Sequence, residues 1–197
     1  MNKSIIKTLT LACLCIAGAS CSMKEGTRQN TCQRYQYPCI LDISVTPEHG
    51  MKRVGCFTDA GSWMGFTIPQ KDKWINGFCG PFSIDNRVWF AQSAVSVNID
   101  GAEFQPDSIS YFPGEVYMSA KSEYGSMEQR MVFASANTAL VNIKNNSGEE
   151  FSVSGKGWNK DITLKKSNNI ITASHPNGET VQITFPQDFD VICNDSN

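Results

Sequence analysis

From Arg87 to Phe185 the chain alternates short runs rich in β-branched and aromatic residues with clusters of turn residues. No apolar stretch keeps a helical period long enough to compete. The runs 139–144, 151–154, 162–165, 170–173 and 181–185 read as strands. Between them Asn145-Asn146-Ser147-Gly148, the stretch 167–169 and Pro176-Asn177-Gly178 supply turn residues, so the pattern predicts antiparallel hairpins in series. Earlier, 87–99 reads as one long strand ending at Asp100-Gly101, a dipeptide suited to a hairpin turn that needs positive φ. The stretches 116–121 and 127–134 are expected to pair across 123–126. Evenly spaced strands and turns predict an all-β fold, an antiparallel two-sheet β-sandwich of supersandwich-like form.

The first twenty residues follow a different rule. Lys3 and Lys7 precede an uncharged stretch, 8–20, that is too short to span a bilayer as a stable helix. Gly18, Ala19 and Ser20 then leave room for a peptidase before Cys21. This is the pattern of a signal peptide, and a cysteine directly after small residues is the acceptor pattern of bacterial lipoproteins. Gly18 stands where that pattern usually has an aliphatic residue, which leaves cleavage before Cys13 or Cys15 open. Acyl chains on Cys21, at about 0.8 kcal/mol per buried methylene, would give a lasting membrane anchor. The expected organisation is a signal peptide over 1–20, a polar tether and lead-in over 21–38, and a β-sandwich domain over 39–197. The chain is thus expected to be exported and lipid-anchored to the cell envelope. Lys24-Glu25, close behind Cys21, resembles the surface-export signal of Bacteroidetes lipoproteins.

Removing 1–20 takes two of the 17 basic residues and none of the 19 acidic ones, leaving 15 against 19 and a net charge of −4. That balance argues against a nucleic-acid partner, since a phosphate backbone demands a basic face. Cys13 and Cys15 leave with the leader and Cys21 would carry lipid. Cys32, Cys39, Cys56, Cys79 and Cys193 remain. In an oxidising compartment Cys32 and Cys39 are the disulfide candidate, closing a short loop at the start of the domain. No two of the five have zinc-ligand spacing, the only histidines are His49 and His175, and no calcium-loop pattern occurs. No metal or cofactor is therefore expected.

The segment 57–82 is unlike the rest, interleaving Gly61, Gly65, Gly77 and Gly80 with Phe57, Trp63, Phe66, Trp74 and Phe78. Glycine admits close backbone approach, and aromatic rings supply flat surfaces. The run from Phe57 through Asp59, Gly61, Trp63 and Gly65 to Phe66, followed by Gly77-Phe78-Cys79-Gly80-Pro81, resembles the opening of the N-terminal β-sandwich of bacterial glycoside hydrolase family 63 proteins. Those are α-glucosidase-like enzymes with an (α/α)6 catalytic barrel. The resemblance covers roughly 56–185. It implies an accessory domain that packs against such a barrel in glycan breakdown. Because the family's acid and base lie in the barrel, it implies no catalytic residue here and a barrel supplied separately or lost.

The residues on their own lead the same way. An inverting glycosidase needs two carboxyl groups about 6.5–9.5 Å apart. Asp59, flanked by glycine and aromatics, is the best single candidate, and hydrogen bonding to backbone amides in a tight loop is its other reading. His49 and His175 lie in turns, which leaves Ser-His-Asp and Cys-His chemistry without a positioned base. Trp63 and Trp74, with Phe66 and Asp59 beside them, are the candidates for stacking on a glycan or for an interdomain face, whereas Trp89 is expected in the core. Three functions follow as expectations. They are an accessory domain of a family 63 type glycosidase, an independent glycan-binding envelope lipoprotein, and a purely structural envelope lipoprotein.

Overall fold

The computed structural model describes residues Thr8–Cys15, 56–112 and 114–193. The tether, Cys21, Cys32, Cys39 and His49 lie outside them. The described chain is almost wholly β: β1 (Thr8–Cys15), β2 (Met64–Thr67), β3 (Gly77–Ser83), β4 (Val88–Trp89), β5 (Ala91–Asn98), β6 (Gln105–Phe112), β7 (Glu115–Ser122), β8 (Gly125–Ser135), β9 (Thr138–Asn145), β10 (Ser152–Trp158), β11 (Thr163–Ser167), β12 (Ile170–Ser174) and β13 (Thr180–Thr184). A single 3-10 turn, Lys71–Lys73, interrupts them.

Eight strands form one sheet in the order β11-β12-β13-β1-β9-β8-β7-β6. A smaller sheet runs β10-β5-β3-β2, with β4 also paired to β3. One apolar core joins the two, drawing Met64, Phe66, Phe78, Val95 and Val97 from the small sheet. The large sheet adds Val116, Met118, Met131, Val141, Ile143, Val181 and Ile183. The expected antiparallel sandwich is therefore present.

In the large sheet, sequence alternation and burial agree. Val181 and Ile183 of β13 are buried while Thr180, Gln182 and Thr184 are half-exposed. Val141 and Ile143 do the same in β9, and Val116 and Met118 in β7. Burying each such side chain contributes about 1.5–3 kcal/mol. The small sheet behaves otherwise, since β3 is buried at all positions from Gly77 to Ser83 and β2 at all of its own. A strand buried on both faces shows no period of two, so segment 57–82 carries no strand signature in its sequence.

Four expectations need correction. The stretch 87–99 is two strands, β4 and β5, broken at Phe90, which is fully buried, while Trp89 is only half-buried against Phe82. Asp100-Gly101 does turn the chain, with Gly101 at φ 71° and the Ala102 amide donating to the Ile99 carbonyl at 3.0 Å. It does not close a hairpin, because β5 already pairs with β10 and β3, and the chain crosses to β6 at the far edge of the large sheet. Similarly, Asn145 to Gly148 passes the chain from β9 to β10 in the other sheet. There the Asn145 side chain accepts from the Ser147 amide at 2.9 Å and donates to the Glu149 carbonyl at 2.6 Å. The stretch between β10 and β11 likewise crosses, from the small sheet back to the edge of the large one. The turns β6-β7, β7-β8, β8-β9, β11-β12 and β12-β13 do close antiparallel hairpins.

The segment expected to be a leader supplies β1, which lies between β13 and β9 and runs parallel to both. Its register sets Leu9 and Leu11 opposite Val181 and Ile183, and Cys13 and Cys15 opposite Val141 and Ile143. Among the described strands every other pairing is antiparallel.

Candidate functional site

The aromatic and glycine-rich segment folds as a turn, β2, the 3-10 turn and β3. Ala60 and Gly61 both have positive φ, 52° and 71°, and the Ser62 amide donates to the Asp59 carbonyl at 3.0 Å, so residues 59–62 make a tight turn. Asp59 is exposed, and its Oδ1 accepts from the Ala60 amide at 2.7 Å.

Trp63 and Phe66 leave the loop and enter the core. Trp63 is 8% exposed with its ring 6.4 Å from that of Phe90, and Phe66 is 2% exposed with its ring 6.2 Å from that of Phe133. A stacking platform for a sugar needs an open ring face, and neither presents one. Trp74 is half-buried after the 3-10 turn and packs against the same core. The structure thus brings Trp63 and Phe66 into one packed cluster and leaves Asp59 on the surface. Among the described residues, the indole N–H groups of Trp63, Trp74 and Trp89 are buried without a hydrogen-bond partner.

The glycines of this segment have packing reasons. A Cβ on Gly65 would lie 2.5 Å from Cys56 Sγ, one on Gly77 2.2 Å from the Val95 carbonyl oxygen, and Gly80, at φ 125°, precedes a cis Pro81. Burial pushes the Cys79 thiol up to about 12, with the hydrogen bond to Thr67 acting in the opposite direction. Burial likewise raises Cys56, against a weaker lowering by a backbone hydrogen bond. Both are therefore poor nucleophiles at neutral pH.

Two polar ties between the sheets were invisible in the sequence. Buried Gln129 of β8 donates through Nε2 to the Asn76 carbonyl at 2.9 Å, and Asn76 exchanges bonds with Val97 of β5, donating at 3.2 Å and accepting at 2.7 Å. At the other end Glu179, 4% exposed in the turn before β13, accepts from Ser83 Oγ at 2.7 Å, Asn86 Nδ2 at 2.6 Å and Asn177 Nδ2 at 3.0 Å. These are charge-assisted bonds to a carboxylate. Glu179→Ala leaves the fully buried Ser83 hydroxyl without its carboxylate acceptor and is expected to cost about 2–3 kcal/mol. That corresponds to a fall of roughly 4–12 °C in Tm, read by calorimetry, with Glu179→Gln costing less. A change under about 1 °C would show that the tie contributes nothing.

A shallow polar depression at the β11-β12 turn is lined by Lys166, Asn169, Gln187 and Asp190. Lys166 Nζ there donates to the Val191 carbonyl, and Asn169 Nδ2 to that of Phe185. Among the described residues no three His, Cys, Asp or Glu side chains converge as a metal site would require. No described helix is long and apolar enough to cross a membrane. No family model matches the chain, and no curated protein matches it.

Proposed function

We propose that this chain is an exported lipoprotein, anchored through Cys21, whose folded part is a non-catalytic β-sandwich of the cell envelope. The observation that carries this reading is how the sandwich uses its candidate residues. Trp63 and Phe66 fill the core, Asp59 holds a turn, and Glu179 ties the two sheets together. Trp63 and Phe66 are committed to packing, and Asp59 and Glu179 to structural hydrogen bonds, whereas in a binding site polar groups converge on a ligand.

The front-domain reading, an accessory unit of a family 63 type glycosidase, rests on the Phe57-to-Pro81 motif. What favours it is that these positions form one contiguous unit, β2 and β3 with the turn between them. The glycines of that unit answer to close packing, so an unrelated sandwich with the same contacts would show the same motif. Reading the DNA after the codon for Asn197 in all frames for a helical barrel separates the two.

The purified domain is expected to hydrolyse no α-glucoside above the buffer rate and to give no saturable heat with a panel of oligosaccharides. Turnover of an α-glucoside would overturn the non-catalytic reading. Saturable binding abolished by Trp74→Ala would replace it with the glycan-binding one.

A further inference from the structure

The geometry points to a binding site for a small zwitterion, an α-amino acid with an apolar side chain, in the depression where the β11-β12 turn meets residues 185–191. The depression holds about 400 Å³, and two segments line it: Lys166, Asn168 and Asn169 from the turn, and Gln187, Phe189 and Asp190 from the stretch after β13. Small-molecule sites begin at about 300 Å³, so one amino acid fits with room for solvent.

The polar groups here are not consumed by the fold. Glu179 spends its carboxylate on Ser83, Asn86 and Asn177, whereas among the described residues the side chains of Asn168, Gln187 and Asp190 have no hydrogen-bond partner. Lys166 Nζ gives one of its three N–H groups to the Val191 carbonyl, and Asn169 Nδ2 gives one of two to the Phe185 carbonyl, which leaves donors on both. Lys166 and Asp190 line the same depression without forming an ion pair, although exposed pairs such as Lys121 with Asp107 do form elsewhere. Opposite charges that share a cavity but do not close on each other suit a molecule carrying both. Its carboxylate accepts from Lys166 and Asn169, and its ammonium donates to Asp190.

Both segments are fixed without a ligand. Asn168 holds φ 52° in the turn, and the Phe185 amide donates to the Asn169 carbonyl at 2.9 Å while the Asn169 side chain returns a bond to Phe185. Farther along, the Phe189 amide donates to the Pro186 carbonyl at 3.2 Å, and Lys166 fastens the buried Val191. A preformed site loses little to ordering on binding. Phe189 supplies the apolar contact. Its ring is stacked on Phe185 at 6.2 Å and set edge-on to Phe151 at 6.0 Å, yet the residue is only half-buried and keeps surface in the depression. That surface favours an amino acid such as phenylalanine over glycine. Because the depression is open to solvent, water and salt screen both charges, and the dissociation constant is expected at about 1–10 mM.

The test is a titration of the isotope-labelled full chain with L-phenylalanine, read by amide shifts in NMR. Saturable shifts confined to 166–169 and 187–191 are expected, weakening several-fold in about 0.5 M salt. Phenethylamine, which lacks the carboxylate, and N-acetyl-phenylalanine, which lacks the ammonium, are each expected to bind at least about 10-fold more weakly, as are Lys166→Gln and Asp190→Asn with phenylalanine itself. Asp190→Asn removes no structural bond, so its spectrum away from the depression stays that of the parent and a loss of binding there is not a loss of fold. The proposal is overturned by no saturable shift up to about 50 mM, by shifts that saturate elsewhere on the sandwich, or by affinity unchanged in Asp190→Asn. Equal binding of phenylalanine and either single-charge analogue overturns it as well, since the depression would then read one charge and not two.

Discussion

Phe90→Ala is expected to lower the unfolding free energy by about 3–5 kcal/mol, the cost of deleting a fully buried ring and leaving its cavity. Phe90 has no exposed surface, stands between Trp63 and the ring of His175 at 6.4 and 6.3 Å, and lies where the chain breaks between β4 and β5. Its amide donates to the Pro81 carbonyl and its own carbonyl accepts from Asn159, both at 2.9 Å, so the backbone is fixed while the side chain fills the core. The neighbours are held by two sheets and cannot collapse fully into the space. For a domain of this size the loss corresponds to roughly 6–20 °C in Tm. Urea unfolding of the variant beside Trp89→Ala checks the assignment of the deeper position. A smaller loss for Phe90→Ala than for Trp89→Ala would contradict it.

Gly77→Ala is expected to be nearly as damaging for the opposite reason. A Cβ at this position would meet the Val95 carbonyl oxygen at 2.2 Å, Ser93 Oγ at 2.7 Å and Ser96 Cα at 2.8 Å. Two of those atoms are backbone of β5, which is held by β10 on its other side, so relief requires moving a strand rather than a rotamer. Overpacking of this severity costs about 3 kcal/mol, roughly 6–12 °C in Tm. Gly148→Ala is the control. It has open space around the new methyl and φ of 81°, so only the left-handed backbone penalty applies, about 1–2 kcal/mol. Equal losses for the two would show that the contact with β5 is not the cause.

What the sequence revealed follows from where alternation survives. Strands β7 to β9, β12 and β13 bury one face, so Val181 and Ile183, or Val141 and Ile143, appear as every second residue between polar neighbours. Their positions are legible to within a residue or two. Strands β2 and β3 are buried throughout, and a run such as Gly77-Phe78-Cys79-Gly80-Pro81-Phe82-Ser83 reads as loop although it lies in the small sheet. Strand β6 escapes notice for the converse reason, since its exposed positions at the sheet edge dilute the pattern to Gln105-Pro106-Asp107-Ser108.

Turns are legible as turns but not as connections. Asp100-Gly101 and Asn145-Asn146-Ser147-Gly148 have the chemistry for reversing a chain, and that chemistry is the same whether the next strand pairs with the last or crosses to the facing sheet. The candidate site meets the same limit. Composition marks Trp63 and Phe66 as aromatics among glycines, a pattern shared by sugar platforms and by tightly packed sheets, and only their depth of 8% and 2% exposure separates the two. Gln129, Asn76, Ser83 and Glu179 carry no local signal, because their partners are 53 and 96 positions away in the chain. Such ties come from the packing of the two sheets.

Whether the sandwich is exported and held by lipid on Cys21, as proposed, is read by intact-mass and N-terminal peptide mass spectrometry of the protein isolated from cell envelopes. The expected chain begins at Cys21 and carries a diacylglyceryl thioether. A chain retaining 1–20, or one beginning at an unmodified residue, would contradict it.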